Sequence, residues 1–489
     1  MNLQKKIPFD FVFTITILIT IILILILLSL NLSYPFLWFD EAVSFWIAKG
    51  VKIDAEPFAL TGGLKEMIYY NRYYNLDPGG FSFILYYWTK FSENHVYLRS
   101  LPFILFIFSF ILCYKIIKNI LNHRSIALFI SCGFLFFSNY YGSAFELRAY
   151  SFELFSTLLC IFSLQTLKIN SSFINKLSLS ILIALFMTGR YPSMIISFFS
   201  LVIILFSSFP SKKKTIEHII FFSILFLPFT IVTTFIYFIF YRYQKEFSQQ
   251  LPYLNYLNAD LLYLLSPLNL FFVISLIFIS IFYIKQRNNV LLFSILINLL
   301  FIFLSLIGKY PYDPSSTRCN FITLSIFISL IIIFKKPLIN LFKNSFTKIS
   351  LSFSLFYLTC FFSSIFLPRF DKPAELYSVL NSLNFTSKPK IYVDRWSNPS
   401  LRYLYEYGNL SNKRKQHFYP KNFKLMSDKK NHLNTIDKII NKYKNNKKMN
   451  ELIDFDIIIG AEFEHYTDQS SRNKWEKVIS NESFFTKIK

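Results

Sequence analysis

The sequence predicts an α-helical polytopic membrane protein. It should have about eleven transmembrane helices, a large first external loop with interfacial helices, and a small C-terminal extracytoplasmic α/β domain. Three observations carry this expectation. Apolar residues make up 54% of the 489-residue chain and charged residues 16%, against about 25% charged in ordinary soluble domains. Uncharged runs of roughly 17–25 residues, the length of a bilayer crossing, recur through the first three quarters of the chain. From Arg369 the character changes: the long apolar runs stop, and 23 Lys/Arg stand against 14 Asp/Glu. The boundary separates a membrane domain, 1–368, from a soluble domain, 369–489.

The spans fall near 11–32, 99–117, 124–140, 148–167, 174–190, 192–209, 216–240, 268–284, 289–308, 318–334 and 346–367. The first resembles a signal peptide in having Lys5 and Lys6 ahead of it. Its uncharged core, Phe11–Leu32, is 22 residues long and no small-x-small cleavage site follows, so it reads as a retained anchor. With this threading the basic residues Lys5/Lys6, Lys115/Lys118/Arg124, Lys168/Lys176, Lys212–Lys214, Lys285/Arg287 and Lys335/Lys336/Lys343/Lys348 share one side. The positive-inside rule makes that side cytoplasmic, so the N-terminus lies inside and the C-terminal domain outside. Gly79–Phe91 is the test of this register. Its 13 apolar and aromatic residues would reach only ~20 Å as a helix, short of the ~30 Å hydrocarbon core. Counting it as a span would also put the basic loops outside, so it is expected to be an interfacial helix in a first external loop running from Ser33 to Leu98.

In the tail, Lys390–Asp394 and Asp454–Gly460 read as short buried strands, with helices at Ser400–Tyr407 and Thr435–Tyr443. Strands alternating with helices suggest an α/β layer structure. The net charge of +23 does not point to nucleic acid, because the membrane-domain Lys and Arg lie in short loops where they set orientation. Cys113, Cys132, Cys160, Cys319 and Cys360 all fall in or at the end of apolar segments and none in the tail. They are expected to pack as small hydrophobes, with no disulfide framework and no metal cluster. No glycine-rich phosphate loop and no zinc motif occurs, and no cofactor is expected.

The threading gathers unusual polar residues on the outer face. The first external loop carries Asp40 and Glu41 in Trp38-Phe39-Asp40-Glu41-Ala42, and then Asp77-Pro78-Gly79-Gly80. The second carries Glu146-Leu147-Arg148-Ala149-Tyr150, the third Arg190-Tyr191-Pro192, the fourth is the aromatic Tyr241–Leu265, and the fifth runs from Gly308 through Tyr310 to Arg318. An acidic pair at a membrane surface places a base where a lipid-borne substrate presents its headgroup. It also reads as an ordinary cap, Asp40 preceding a helix over Glu41–Lys49. Arg148, Arg190 and Arg318 fit a phosphate receptor through the planar guanidinium fork. Each alone reads equally as an interfacial Arg snorkelling or paired with Glu.

These residues and their order resemble the GT-C membrane glycosyltransferases, most closely the protein O-mannosyltransferase and lipid A aminoarabinose transferase branch. The points of likeness are Trp-Phe-Asp-Glu-Ala after the first span, Asp77-Pro78 followed by Leu85-Tyr86-Tyr87 and Leu98-Arg99-Ser100-Leu101-Pro102, then Glu146-x-Arg148-x-Tyr150, and a late Tyr310-Pro311 with Arg318. They cover residues 1–340. Two departures stand out: Asp77 occupies a place where that branch usually has His, and Glu146 stands where several branches have Asp.

The resemblance implies transfer of a sugar from a polyprenyl-phosphate-linked donor to an acceptor hydroxyl outside the cytoplasm. The acceptor would be a lipid, glycan or protein. Asp40 would be the general base in a single inverting displacement, and Glu41 would orient it or the acceptor. Asp77, Glu146, Arg148, Tyr150, Arg190, Tyr191, Tyr310 and Arg318 would line the substrate site. No metal and no nucleic-acid partner is expected. The Phe, Ile, Asn and Lys richness fits an AT-rich bacterial genome, hence a bacterial plasma (inner) membrane. The main alternative is a transporter or flippase of lipid-linked sugars, which would place charges at mid-membrane depth. A surface-polysaccharide polymerase or ligase would concentrate Arg and His in one late loop.

Overall fold

The computed structural model describes residues 9–30, 32, 37–52, 60–75, 77–136, 138–208, 215–244, 267–307, 309–314, 316–343, 347, 348, 351 and 355, and in the C-terminal part 391–393, 398–407, 423–425, 457–461 and 484–488. The described chain is mostly helical. In order, α1 is Phe9–Leu30, α2 Phe39–Ala48, α3 Leu64–Tyr74, α4 Gly80–Thr89, α5 His95–Leu121, α6 Arg124–Phe136, α7 Ser138–Phe145 and α8 Tyr150–Thr166. Then follow α9 Phe173–Phe186, α10 Tyr191–Ser207, α11 Thr215–Ile236, α12 Pro267–Gln286, α13 Asn289–Leu306, α14 Asn320–Ile333, α15 Lys335–Leu341 and α16 Asn398–Tyr407.

Several of these helices are apolar enough to cross a membrane. Four have both the length and the composition: His95–Leu121, Ile216–Gln244, Asn269–Gln286 and Asn289–Leu306. A fifth arises if Thr317–Ile333 and Lys335–Leu341, bent by 70°, form one span. The described helices therefore give a smaller number than the expected eleven. Four further apolar stretches, Phe13–Ile26, Arg124–Leu135, Phe173–Gly189 and Tyr191–Ser207, are shorter; at 14 residues, Phe13–Ile26 would reach ~21 Å of helix against a ~30 Å core. The segment expected as an interfacial helix over Gly79–Phe91 is α4, ten residues long. The fourth external loop beyond Gln244, most of the span 346–367, and the helix expected at Thr435–Tyr443 lie outside the described residues.

The chain divides into two compact units. The first comprises Met1–Ser29, Ile68–Ile84 and Arg99–Phe362; the second comprises Leu30–Met67, Leu85–Leu98 and Ser363–Lys489. In the first, α8 packs on α10, α9 and α14, and α10 packs on α13. Serines make this close approach possible. Ser156, Ser163, Ser193, Ser197 and Ser200 are fully buried, and Cys160 Sγ meets Ser197 Oγ at 3.6 Å. Small residues at apolar helix interfaces let backbones come together and maximise dispersion contact. Between α13 and α14, Asn298 Nδ2 donates to Ser294 O at 2.7 Å and Ser325 Oγ at 3.0 Å, and accepts on Oδ1 from the Tyr312 hydroxyl at 3.0 Å. This network anchors the loop that carries Tyr310 and Arg318.

In the second unit, α2 packs on α16. Four short strands, β1 Ile391–Val393, β2 Phe423–Leu425, β3 Ile457–Ala461 and β4 Phe484–Ile488, form one sheet in the order β2-β1-β3-β4. β1 runs parallel to β2 and β3, with Ile391 beside Phe423 and Ile457; β4 is antiparallel to β3, with Ile457 beside Ile488. β1 lies within Lys390–Asp394 and β3 overlaps Asp454–Gly460, where strands are expected, and α16 overlaps the helix expected at Ser400–Tyr407; these described pieces do not amount to the expected α/β domain.

Candidate functional site

Arg190 lies between a 3₁₀ turn, Met187–Gly189, and α10. Its backbone is extended (φ −148°, ψ 151°), and Pro192 in the first turn of α10 lacks only an N–H that would have no helical partner there. The buried guanidinium collects acceptors from three segments. Its Nη1 donates to Glu153 Oε2 at 2.8 Å and to the Arg318 carbonyl at 3.3 Å. Nη2 donates to the Tyr310 hydroxyl oxygen at 3.4 Å, and Nε stands 3.7 Å from Asp77 Oδ1. The guanidinium lies 4.8 Å from the Tyr150 ring centre. Tyr310 donates in turn to the Arg318 carbonyl at 2.8 Å. Burial pushes the Tyr310 pKa well above its ordinary value, so the hydroxyl keeps the proton it donates.

Asp77 is carried to this cluster by its turn. Gly79 has φ +89°, a conformation that costs other residues, and a Cβ there would come within 2.5 Å of the Phe240 ring. At Gly80 a Cβ would meet Thr188 Oγ1 at 1.8 Å. The two glycines thus allow the turn to press between the π-helical turn that follows α11, Tyr237–Tyr241, and the 3₁₀ turn before Arg190. Gln244 secures it: Nε2 donates to the carbonyls of Asn71 (3.1 Å), Asn75 (2.9 Å) and Asp77 (2.9 Å), while Oε1 accepts from the Tyr191 hydroxyl. Burial also raises the Tyr191 pKa, which keeps that donor protonated. A π-helical turn, Tyr237–Tyr241, precedes Gln244; such turns re-aim the residues that follow them.

The second and fifth loops close on one another. A Cβ on Gly142 would sit 2.9 Å from Thr317 Cγ2 and 3.9 Å from Glu146 Oε1. Asn320 Nδ2 donates to Ser143 Oγ at 2.6 Å. Arg148 stands 5.1 Å from the same Tyr150 ring that faces Arg190. Two guanidiniums thus share one aromatic ring, each attracted by its negative face. Sequence reasoning ranked the three arginines alike, but they differ in burial: Arg190 is buried, Arg148 half-buried and Arg318 exposed.

Asp40 and Glu41 belong to the second unit. Helix α2 starts at Phe39, so Trp38 is the N-cap, Asp40 the second helical residue and Glu41 the third. The cap reading that put Asp40 ahead of a helix over Glu41–Lys49 is corrected accordingly. Glu41 does the capping: buried at 1% exposure, its Oε2 accepts the Trp38 N–H at 3.2 Å. Asp40 is partly exposed. Both carboxylates suit the positive end of the helix.

No protein-family model and no curated protein matches this chain. Among the described residues no group of three or more His, Cys, Asp or Glu is placed to hold a metal ion.

The structure thus brings together Asp77, Tyr150, Arg190, Tyr310 and the Arg318 backbone, with Tyr191 joined through Gln244 and Arg148 through Tyr150. Two members were missed from the sequence. Glu153 carried a signal, an acid inside an apolar run, where an ionisable residue normally implies a partner. Gln244 carried none beyond being polar at the end of an aromatic segment.

Proposed function

We propose that this protein is a polyprenyl-phosphate-dependent glycosyltransferase of the GT-C kind. It would move a sugar from a lipid-linked donor to an acceptor hydroxyl on the outer face of a bacterial plasma membrane. The observation that carries this reading is the convergence of Asp77, Tyr150, Arg190, Tyr310 and the Arg318 backbone, from four loops, at the N-terminal ends of α8, α10 and α14. Those helix ends bear partial positive charge, and Arg148 and Arg318 add full charges beside them, which suits an anionic headgroup.

In the proposed reaction Asp40 takes the proton of the acceptor hydroxyl as its oxygen attacks the anomeric carbon. The bond from that carbon to the phosphate oxygen breaks, and polyprenyl phosphate leaves with the electron pair. The charge growing on the phosphate calls for guanidiniums, and the resemblance gives that role to arginines of the external loops, Arg148 and Arg318 among them. Arg190, with Asp77 and Glu153, holds the loops of the first unit together. Glu41 fixes the start of the helix that carries Asp40. Eleven spans with the N-terminus inside, an interfacial α4, and an extracytoplasmic α/β domain from Arg369 onward complete the proposed architecture.

The buried Glu153–Arg190 pair is the one observation that favours the flippase alternative, since charges among apolar helices line transport paths. Its position argues the other way. Glu153 is the fourth residue of α8 and Arg190 immediately precedes α10, so the pair lies only ~5 Å from the helix starts. The test is purified protein in liposomes with short-chain polyprenyl-phosphate sugars and a mixed pool of acceptor hydroxyls. Release of polyprenyl phosphate is expected; movement of intact sugar-lipid across the bilayer without release would identify the flippase.

A further inference from the structure

We infer that α16, in the C-terminal part of the chain, braces the helix that carries Asp40 and Glu41, and that Trp46, Lys49, Tyr403 and Tyr407 are positioning residues for the proposed transfer; the inference rests on the function proposed above. All the contacts lie within the second unit. Trp46 is fully buried and its indole N–H donates to the Pro399 carbonyl at 2.9 Å. Phe45, also fully buried, meets Tyr403 and Tyr407 edge-on, with ring centres 5.0 and 5.5 Å away.

Lys49 closes the same face. Its ammonium, 6% exposed, donates to Glu93 Oε1 at 2.9 Å and to the Tyr407 hydroxyl oxygen at 2.7 Å, and stands 4.9 Å from the Tyr407 ring centre. The Tyr403 hydroxyl donates to the Glu93 carbonyl at 2.7 Å. Glu93 thereby joins Lys49 to α16 a second time. A buried ammonium held by a carboxylate, a phenol and a ring is costly to displace, and its charge also suits the C-terminal end of α2.

These contacts bear on Asp40 because α2 is only ten residues long. A helix that short has little stability of its own and takes its orientation from what it packs against. Asp40 sits in its first turn, and the brace grips Phe45 and Trp46 in the rest and Lys49 just beyond its end. Loosening the brace lets α2 shift and moves Asp40 with it. Catalytic geometry is sensitive to displacements of this kind.

The test uses the full chain in liposomes, with Tyr407→Phe, Lys49→Met and Lys49→Arg, and reads two quantities. The first is backbone amide exchange across Ala42–Ala48. It is expected to speed up about fivefold in Tyr407→Phe and more in Lys49→Met, with Lys49→Arg near wild type. The second is transfer kinetics: kcat is expected to fall about tenfold with the donor KM unchanged. Unchanged exchange in α2 overturns the inference, and so does faster exchange with unaltered turnover. If the wild type transfers no sugar, the proposed function fails, and the exchange data alone decide whether α16 braces α2. Tyr407→Phe removes a single oxygen and still reads the brace if Lys49→Met does not fold.

Discussion

Arg190 and Glu153 form a 2.8 Å ion pair with both side chains buried, one immediately before α10 and the other in the first turns of α8. Removing either partner breaks a buried pair, which costs about 3–5 kcal/mol. Glu153→Gln and Arg190→Gln are therefore each expected to lower the unfolding midpoint strongly in detergent. The double variant should lose much less than the sum, because the second change removes the partner that the first stranded. A thermal melt of the four proteins checks this, and additive losses would show that the pair is not coupled.

The turn at Asp77 makes a sharper steric forecast. Gly79→Ala and Gly80→Ala place a methyl group 2.5 Å from Phe240 and 1.8 Å from Thr188. Each is expected to destabilise by about 1–3 kcal/mol through overpacking, and to reduce turnover because Asp77 moves with the turn. Gly133→Ala in α6 is the control. Its added Cβ would meet only the Phe327 ring at 3.8 Å, and the change should be neutral or gain up to about 1 kcal/mol of helix propensity. Expression yield and melting temperature distinguish the sites.

Gln244 donates to three carbonyls at once. Gln244→Leu loses those bonds, at a cost of about 1–3 kcal/mol for the acceptors left without them. Gln244→Glu should be worse at neutral pH, since an ionised carboxylate would face the same carbonyls. That environment raises the folded-state pKa of the new carboxyl above its unfolded value. Its protonated form then contributes stability at low pH that is lost as pH rises. Unfolding followed from pH 5 to pH 8 is therefore expected to show Gln244→Glu falling behind Gln244→Leu, with wild type flat by comparison.

Arg148 and Arg318 carry the proposed contact with the leaving phosphate. Arg148→Ala and Arg318→Ala are each expected to reduce kcat by about 10²–10³. Lysine should restore little, because a point charge does not reproduce the guanidinium fork. A steady-state comparison of Ala and Lys variants at both positions checks this.

The helical, apolar character of the chain was legible because hydropathy is a local property: α5, α11, α12 and α13 lie where apolar runs mark them. The strands at Ile391–Val393 and Ile457–Ala461 were legible for the same reason, as short β-branched runs in a polar tail. β2 and β4 were not: Phe423–Leu425 is three residues among lysines, and its pairing with β1 is a long-range choice. Asp77 and Arg190 were singled out separately as polar residues near span ends, but nothing in sequence spacing pairs residues that far apart. Glu153 hid in an apolar segment because an average over its neighbours conceals one acid. The helix start at Phe39 escaped because Asp is a common cap, and the preference for Asp there outweighed the reach of Glu41 back to Trp38.

Asp40 is the residue on which the proposed transfer depends most directly. Wild type and Asp40→Asn would be reconstituted in the same liposomes, with donor binding measured by titration and turnover by release of polyprenyl phosphate. The expected result is donor affinity within about twofold of wild type and a fall in kcat of about 10²–10⁴, the range a general base contributes. Undiminished release by Asp40→Asn, with donor bound as in the wild type, would contradict the assignment of Asp40 as the base.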